Sequence, residues 1–230
     1  MSQRLDDGGL QRRAIRHAAL SEPIRLAVVE ELAVSDRSPK ELAELLGIGT
    51  NLIAHHLDVL EHAGLVVRSL SEGDGRRKYV HLVRDALLVL GIDERDAGRE
   101  MVFLCTHNSA RSQLAAALWT KRTGRPASSA GTRPAERVHP GAVAAARRAG
   151  FSLANAAPKM VGKIPRTAQV VTVCDLVHEE LDAAPDWWHW SIPDPAENGR
   201  PAEFDAVVAE LNARISSVTN VMDTKKGTKK

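Results

Sequence analysis

Cys105 and Arg111 stand six residues apart in Cys105-Thr106-His107-Asn108-Ser109-Ala110-Arg111-Ser112. A thiol is a nucleophile as its thiolate, and a guanidinium grips two oxygens of a tetrahedral anion at once. The spacing lets the arginine fold back over a loop that starts at the sulfur. The chemistry such a pair can do is nucleophilic attack at an oxyanion. The chain's other cysteine, Cys174, has Glu180 at its sixth following position, so only Cys105 has the spacing. Displacement at an oxyanion also needs an acid for the departing oxygen. Asp194, between Pro193 and Pro195, is the candidate: the prolines fix the backbone and hold the carboxylate at a loop tip.

The elements that must position these groups are legible. Met101-Val102-Phe103-Leu104 is a short, wholly apolar run of the kind found in buried parallel strands. A helix is expected over 113–122, with Leu114, Ala117 and Leu118 apolar. Between them, 106–110 form an oxyanion cradle from Thr106, His107, Asn108, Ser109 and Ala110. Converging N–H groups and a helix N-terminus supply its positive charge. Ser112 can hydrogen-bond the sulfur, and Asn108 can brace the loop because asparagine tolerates left-handed backbone. A second strand, 169–173, runs into Cys174. In an open parallel sheet the carboxyl ends of strands share one crevice, so Cys105, Cys174 and the Asp194 loop could meet there.

The first half has another organisation. Helices are expected over 12–20, over 24–33 with Ser21 as cap, from the capping box Ser38-Pro39-Lys40-Glu41 to Gly47, and from Thr50-Asn51 to Gly64. Two strand-like runs, 65–70 and 78–83, flank the turn Glu72-Gly73-Asp74-Gly75. Helix, short glycine turn, helix, hairpin is the layout of a winged helix-turn-helix that reads double-stranded DNA. Thr50, Asn51, His55 and His56 are expected on the solvent face of the recognition helix. Arg68, Arg76, Arg77 and Lys78 are expected to place four cations on the wing, each able to neutralise a phosphate. His17, His55, His56 and His62 lack a ligand spacing, so no metal site is expected.

Length and composition fit two modest domains. The chain has 230 residues, 43% apolar and 26% charged. The expected division is a DNA-binding domain at 12–90, a linker at 91–100, an α/β domain at 101–222 and a disordered basic tail at 223–230. The net charge of +2 hides an asymmetry: 13 basic against 16 acidic residues up to 98, and 18 against 13 after it. Two cysteines exclude a disulfide scaffold and a four-cysteine zinc site. With neither a membrane-length apolar run nor a signal peptide, a cytoplasmic protein is expected.

Two resemblances sharpen these expectations. Residues 12–90 resemble the ArsR-type winged-helix repressors, through Ser38-Pro39-Lys40-Glu41-Leu42-Ala43, 54–66 (AHHLDVLEHAGLV) and Gly75-Arg76-Arg77-Lys78-Tyr79. That resemblance implies a homodimer that releases its operator on binding a metalloid or metal. Arsenic-sensing members carry Cys-Val-Cys where this chain has Ala33-Val34-Ser35, so that sensor is absent. Residues 100–220 resemble the low-molecular-weight phosphatase fold, and within it arsenate reductase. The carrying residues are 102–113, Ser129-Ala130-Gly131-Thr132 after a second strand, His139-Pro140, 170–175, and His189-Trp190-Ser191 leading to Asp194-Pro195-Ala196. The fold implied is a doubly wound parallel sheet.

By this resemblance Cys105 is the nucleophile, Arg111 the oxyanion clamp, Ser112 the thiolate's helper and Asp194 the general acid. Cys174 matches the resolving thiol of thioredoxin-coupled reductases. Their third cysteine is replaced by Leu181, so the internal disulfide relay is incomplete. No bound cofactor is expected. The reductant is external, either thioredoxin or a low-molecular-weight thiol with a redoxin. Two alternatives stand beside an arsenic-response regulator fused to an arsenate reductase. One is a tyrosine phosphatase fused to a repressor, whose aromatic wall would have to come from Trp187, Trp188 and Trp190, residues better suited to packing. The other is a regulator whose second domain only senses oxyanion or redox state.

Overall fold

Ser38 begins α3 (Pro39–Leu46) with a complete capping box: its hydroxyl accepts from the Glu41 N–H, and the Glu41 carboxylate accepts from the Ser38 N–H at 2.7 Å. Gly47 ends the helix in the left-handed region at φ 64°, which only glycine adopts freely. The next helix, α4 (Thr50–His62), starts three residues later, so α3 and α4 form the helix-turn-helix. Before them lie α1 (Gly8–Leu20) and α2 (Pro23–Val34). The cap of α2 is Glu22 rather than Ser21, its carboxylate accepting from the Arg25 N–H, because Pro23 takes the first helical position. Gly49 precedes α4 without a side-chain cap, so Thr50 is inside the helix rather than at its entrance. The wing is an antiparallel pair, β1 (Val66–Leu70) and β2 (Lys78–Leu82), with Val66 opposite Leu82. One core holds the unit together, with Val28, Val29, Leu32, Leu42, Ile53, Leu57, Leu60 and Leu65 all fully buried.

The computed structural model describes residues 8–83, 100–181 and 183–226. The expected linker at 91–100 lies outside the described residues except for Glu100. The chain divides into two compact units; residues 72–74, inside the wing's turn in sequence, belong to the second.

The second unit is built on a four-stranded parallel sheet in the order β4-β3-β5-β6. Its strands are β3 (Met101–Cys105), β4 (Ala127–Gly131), β5 (Gln169–Thr172) and β6 (Trp188–His189). Every residue of β3 and β5 is buried, which explains the unbroken apolar run 101–104 and the apolar centre Val170-Val171 of β5. The stretch 129–131 is the end of β4 itself, not a segment following it. Around the sheet lie α5 (Arg111–Thr123), α6 (Pro140–Arg148), α7 (Asp175–Glu180) and α8 (Pro201–Lys226). The helix α8 runs through 223–226, where a disordered tail is expected from the sequence. Phe103 packs between Trp119 and Trp190, at centroid distances of 6.2 and 5.8 Å. Strand order reverses between β3 and β5, and the crevice at such a switch point is where an α/β sheet binds its ligand. Cys105 ends one of these strands, and Cys174 follows the other. No helix among the described residues is long and apolar enough to cross a membrane.

Candidate active site and nucleic-acid interface

The loop after β3 turns its N–H groups inward because its carbonyls are claimed from outside. Arg133 N–H donates to Thr106 O at 2.9 Å, Ala135 N–H to His107 O at 2.9 Å, and His139 N–H to Ser109 O at 2.8 Å. The Gln113 side-chain amide donates to Asn108 O at 3.1 Å. With those four oxygens tied back, the opposite edges of the peptides face the cradle. The N-terminus of α5 has no side-chain cap, which leaves its first N–H groups to the same space. Gly131 permits this approach: a Cβ there would stand 2.5 Å from Thr106 O and 2.9 Å from Cys105 O.

Asn108 is the loop's keystone. It alone among the described non-glycine residues has positive φ, at 46°. Its side-chain oxygen accepts from the Lys159 N–H at 2.8 Å and from the Gln113 amide at 3.1 Å. Its own amide donates to Ser112 Oγ at 2.8 Å. That bond occupies a lone pair of Ser112, so the serine proton is free to point at Cys105 Sγ, 3.0 Å away. The Asn108 N–H donates to the same sulfur at 3.2 Å. Two polar groups, the Ser112 hydroxyl and the Asn108 N–H, thus converge on the Cys105 sulfur.

Arg111 is buried and satisfied. Its Nη1 donates to Ile192 O at 2.9 Å, and its Nη2 to Asp194 Oδ2 at 2.7 Å. Burial alone would lower its pKa; the facing Cys174, Asp194, Cys105 and Glu72 groups outweigh that and hold it above the ordinary value. The Asp194 loop therefore meets Arg111 directly. Asp194 Oδ1 accepts from the Ala196 N–H at 3.0 Å, which orients the carboxylate within the proline-flanked turn.

Cys174 is buried, and its sulfur lies 3.4 Å from the Thr106 hydroxyl. Burial pushes its thiol above the ordinary pKa, against the pull of Arg111. Both cysteines are free thiols. The structure thus brings Cys105, Thr106, Asn108, Ala110, Arg111, Ser112, Cys174 and Asp194 together. His107 is exposed at the rim and Ser109 half-buried, both contributing backbone rather than side chain.

Glu72 is a participant that its sequence context, a turn, does not announce. Its carboxylate meets Arg111 Nη1 at 3.1 Å and accepts from the Asp194 N–H at 3.1 Å. Burial raises its pKa, with Arg111 opposing. His139, by contrast, is structural: its Nδ1 accepts from the Gly141 N–H at the start of α6, and its ring stacks on Phe204 at 4.8 Å. Trp188 and Trp190 are buried packing, not a wall of the site.

In the first unit Thr50, Asn51 and His55 are exposed on α4, and Arg76, Arg77 and Lys78 are exposed on the wing. Two expectations are corrected. His56 is buried, with its Nδ1 3.5 Å from Glu22 Oε2, because adjacent residues on a helix face about 100° apart. Arg68 is not part of the wing's charge; it pairs with Asp58 at 2.8 Å and Glu61 at 3.1 Å, tying β1 to α4. Ala33 lies in the last turn of α2 and Ser35 follows as its C-cap.

The profile of the low molecular weight phosphotyrosine protein phosphatase family matches residues 100–228, and that of a helix-turn-helix domain matches residues 20–69. The chain is 32% identical over 124 residues to an arsenate reductase of Brevibacillus brevis, covering 51% of this chain and 91% of that protein. It is 34% identical over 83 residues to the HTH-type transcriptional repressor SmtB of Mycobacterium tuberculosis, covering 33% of this chain and 59% of that protein. The solved arsenate reductase of Archaeoglobus fulgidus is 28% identical with a TM-score of 0.45, covering 53% of this chain and 99% of that one. The chain belongs to the low-molecular-weight phosphotyrosine protein phosphatase family and carries a helix-turn-helix domain in its first half.

Proposed function

We propose that this chain is a thiol-dependent arsenate reductase joined to a DNA-binding transcriptional regulator of arsenical resistance. The observation that carries the reductase reading is the second thiol: Cys174 Sγ lies 3.4 Å from the hydroxyl of Thr106, the residue after Cys105. Hydrolysis of a phosphate ester needs one thiol. Reduction of arsenate to arsenite takes two electrons, which two thiols supply by forming one disulfide.

In this reading the cradle N–H groups and Arg111 hold the arsenate oxygens, and Arg111 exchanges carboxylate partners for them. Cys105 Sγ attacks arsenic; an S–As bond forms, and an As–O bond breaks. Asp194 supplies a proton to the departing oxygen, which leaves as water. Cys174 then attacks the Cys105 sulfur, its thiol proton passing to an oxygen of the departing arsenic oxyanion. The S–S bond forms, the S–As bond breaks, and its electron pair stays on arsenic, releasing arsenite. An external dithiol such as thioredoxin, or a low-molecular-weight thiol with a redoxin, restores both cysteines. Leu181 in place of a third thiol leaves that step to the outside donor.

The same cradle fits phosphate, so slow phosphate ester hydrolysis accompanies the reductase activity. In the first unit, exposed Thr50, Asn51 and His55 read an operator's major groove, while Arg76, Arg77 and Lys78 neutralise phosphates as one half of a homodimer. Arsenite formation with thioredoxin or a small thiol system, set beside para-nitrophenyl phosphate turnover, tests the reading. Ester turnover much faster than arsenate turnover would overturn it.

A further inference from the structure

Behind Cys174 lies a buried polar network that the reaction as written does not use. Asp175 Oδ1 meets His189 Nε2 at 3.2 Å, with the two side chains 2% and 0% exposed. A carboxylate only accepts, so the His189 Nε2 carries a proton. On the ring's other side, Nδ1 is 2.9 Å from Thr172 Oγ1. The same hydroxyl lies 3.0 Å from His178 Nδ1, and the two imidazoles stack at 4.1 Å. The Ser191 hydroxyl also bonds to Asp175. Trp190 N–H donates to Thr172 O at 2.8 Å.

The placement of these residues in the chain gives the network a purpose. Thr172 ends β5 two residues before Cys174, and Asp175 opens α7 directly after it. Ser191 lies three residues before Asp194. The second thiol is therefore held from both flanks, and the same carboxylate reaches the segment that carries the acid. A buried carboxylate hydrogen-bonded to an imidazole costs desolvation that an apolar pair would avoid. What it supplies is fixed geometry. We infer that Asp175 and His189, with Thr172 at the end of β5, are positioning residues that aim the Cys174 sulfur at the Cys105 side of the crevice. The inference rests on the two-thiol reading above.

The test uses the full chain and stoichiometric hydrogen peroxide. Peroxide oxidises the Cys105 thiolate to a sulfenic acid; the Cys174 thiol condenses with it, forming the S–S bond and releasing water. Disulfide closure is followed by mass mapping. Cys105 alkylation by iodoacetamide, which requires only the first thiol, is measured in parallel. The expected result for Asp175→Asn is a fall of about tenfold or more in the ratio of closure rate to alkylation rate, the penalty for misplacing a reacting atom. Thr172→Val removes the hydroxyl at nearly constant volume and lowers the same ratio; it carries the test if Asp175→Asn does not fold. A wild-type disulfide whose ratio is unmoved in both variants would overturn the positioning role alone. Absence of a Cys105–Cys174 disulfide in the wild type would overturn the two-thiol reading and this inference with it.

Discussion

Asn108 donates to Ser112 Oγ at 2.8 Å, and through that bond sets which way the serine proton points. Ser112 in turn stands 3.0 Å from Cys105 Sγ. The nucleophile's environment is thus decided by a side chain four residues before the helper serine, held in left-handed backbone at φ 46°.

Asn108→Ala removes this arrangement at several points. It leaves the Lys159 N–H without its acceptor, at a cost of about 1–3 kcal/mol, and takes one bond each from the Gln113 amide and Ser112, which keep Asn108 O, Ala157 O and Cys105 Sγ. Alanine is also less tolerant of positive φ. The expected outcome is a destabilisation of about 2–4 kcal/mol in urea melts of the second unit's transition, together with a loss of kcat.

Gly131→Ala tests the packing of β4 against the cradle. Its Cβ would sit 2.5 Å from Thr106 O, which is backbone and cannot swing aside. The loop must shift by a fraction of an ångström, and kcat for arsenate or para-nitrophenyl phosphate is expected to fall by about 100-fold. Wild-type turnover in this variant would show that the loop tolerates displacement.

Glu72 and an incoming oxyanion compete for Arg111. Glu72→Gln keeps the shape and removes the charge, so the KM for arsenate is expected to drop several-fold with kcat little changed. The pH dependence follows from the raised pKa of Glu72. As pH falls through that value the carboxyl gains a proton and releases Arg111, so wild type and variant converge in acid and separate as pH rises. Parallel KM profiles at all pH values would contradict this.

In the first unit the burial difference between neighbours predicts opposite effects. His55→Ala is expected to weaken operator binding with little change in stability, since its ring is exposed. His56→Ala is expected to cost about 1–3 kcal/mol of stability, since its ring is packed inside beside Glu22. Alanine at Arg76, Arg77 or Lys78 should each reduce the slope of log K against log salt by about one, measured by fluorescence anisotropy.

Asp175 adds a stability test. Burial alone would raise its pKa, but the bond and charge of His189 outweigh this and hold the carboxyl below 3.8. A depressed carboxyl stabilises the fold above its unfolded pKa and loses that contribution as pH falls through the folded value. Asp175→Asn is therefore expected to lower the melting temperature near neutral pH, and the difference should shrink in acid.

Local chemistry made much of this legible in the sequence. The capping box at Ser38 and Glu41, the apolar run into Cys105 and the glycine stop at Gly47 are all written in adjacent residues. Cys105, Arg111 and Ser112 share one loop and helix, so their spacing already says that they meet. Glu72 and Arg111 are 39 residues apart, and nothing local to a Glu-Gly-Asp-Gly turn announces a partner. His56 escaped for another reason: its neighbour His55 is identical in type, and only the phase of the helix decides which one is buried. Asp175 and His189 are 14 residues apart, and only tertiary packing brings them together.

The most direct test of the account compares arsenite production by wild type, Cys105→Ser and Cys174→Ser with a thioredoxin system, alongside para-nitrophenyl phosphate hydrolysis. The account predicts that Cys105→Ser loses both activities, while Cys174→Ser keeps ester hydrolysis and loses arsenite formation by about 100-fold or more. Full arsenite turnover by Cys174→Ser would contradict it, leaving Cys174 a packed thiol and the electron pair to an outside donor.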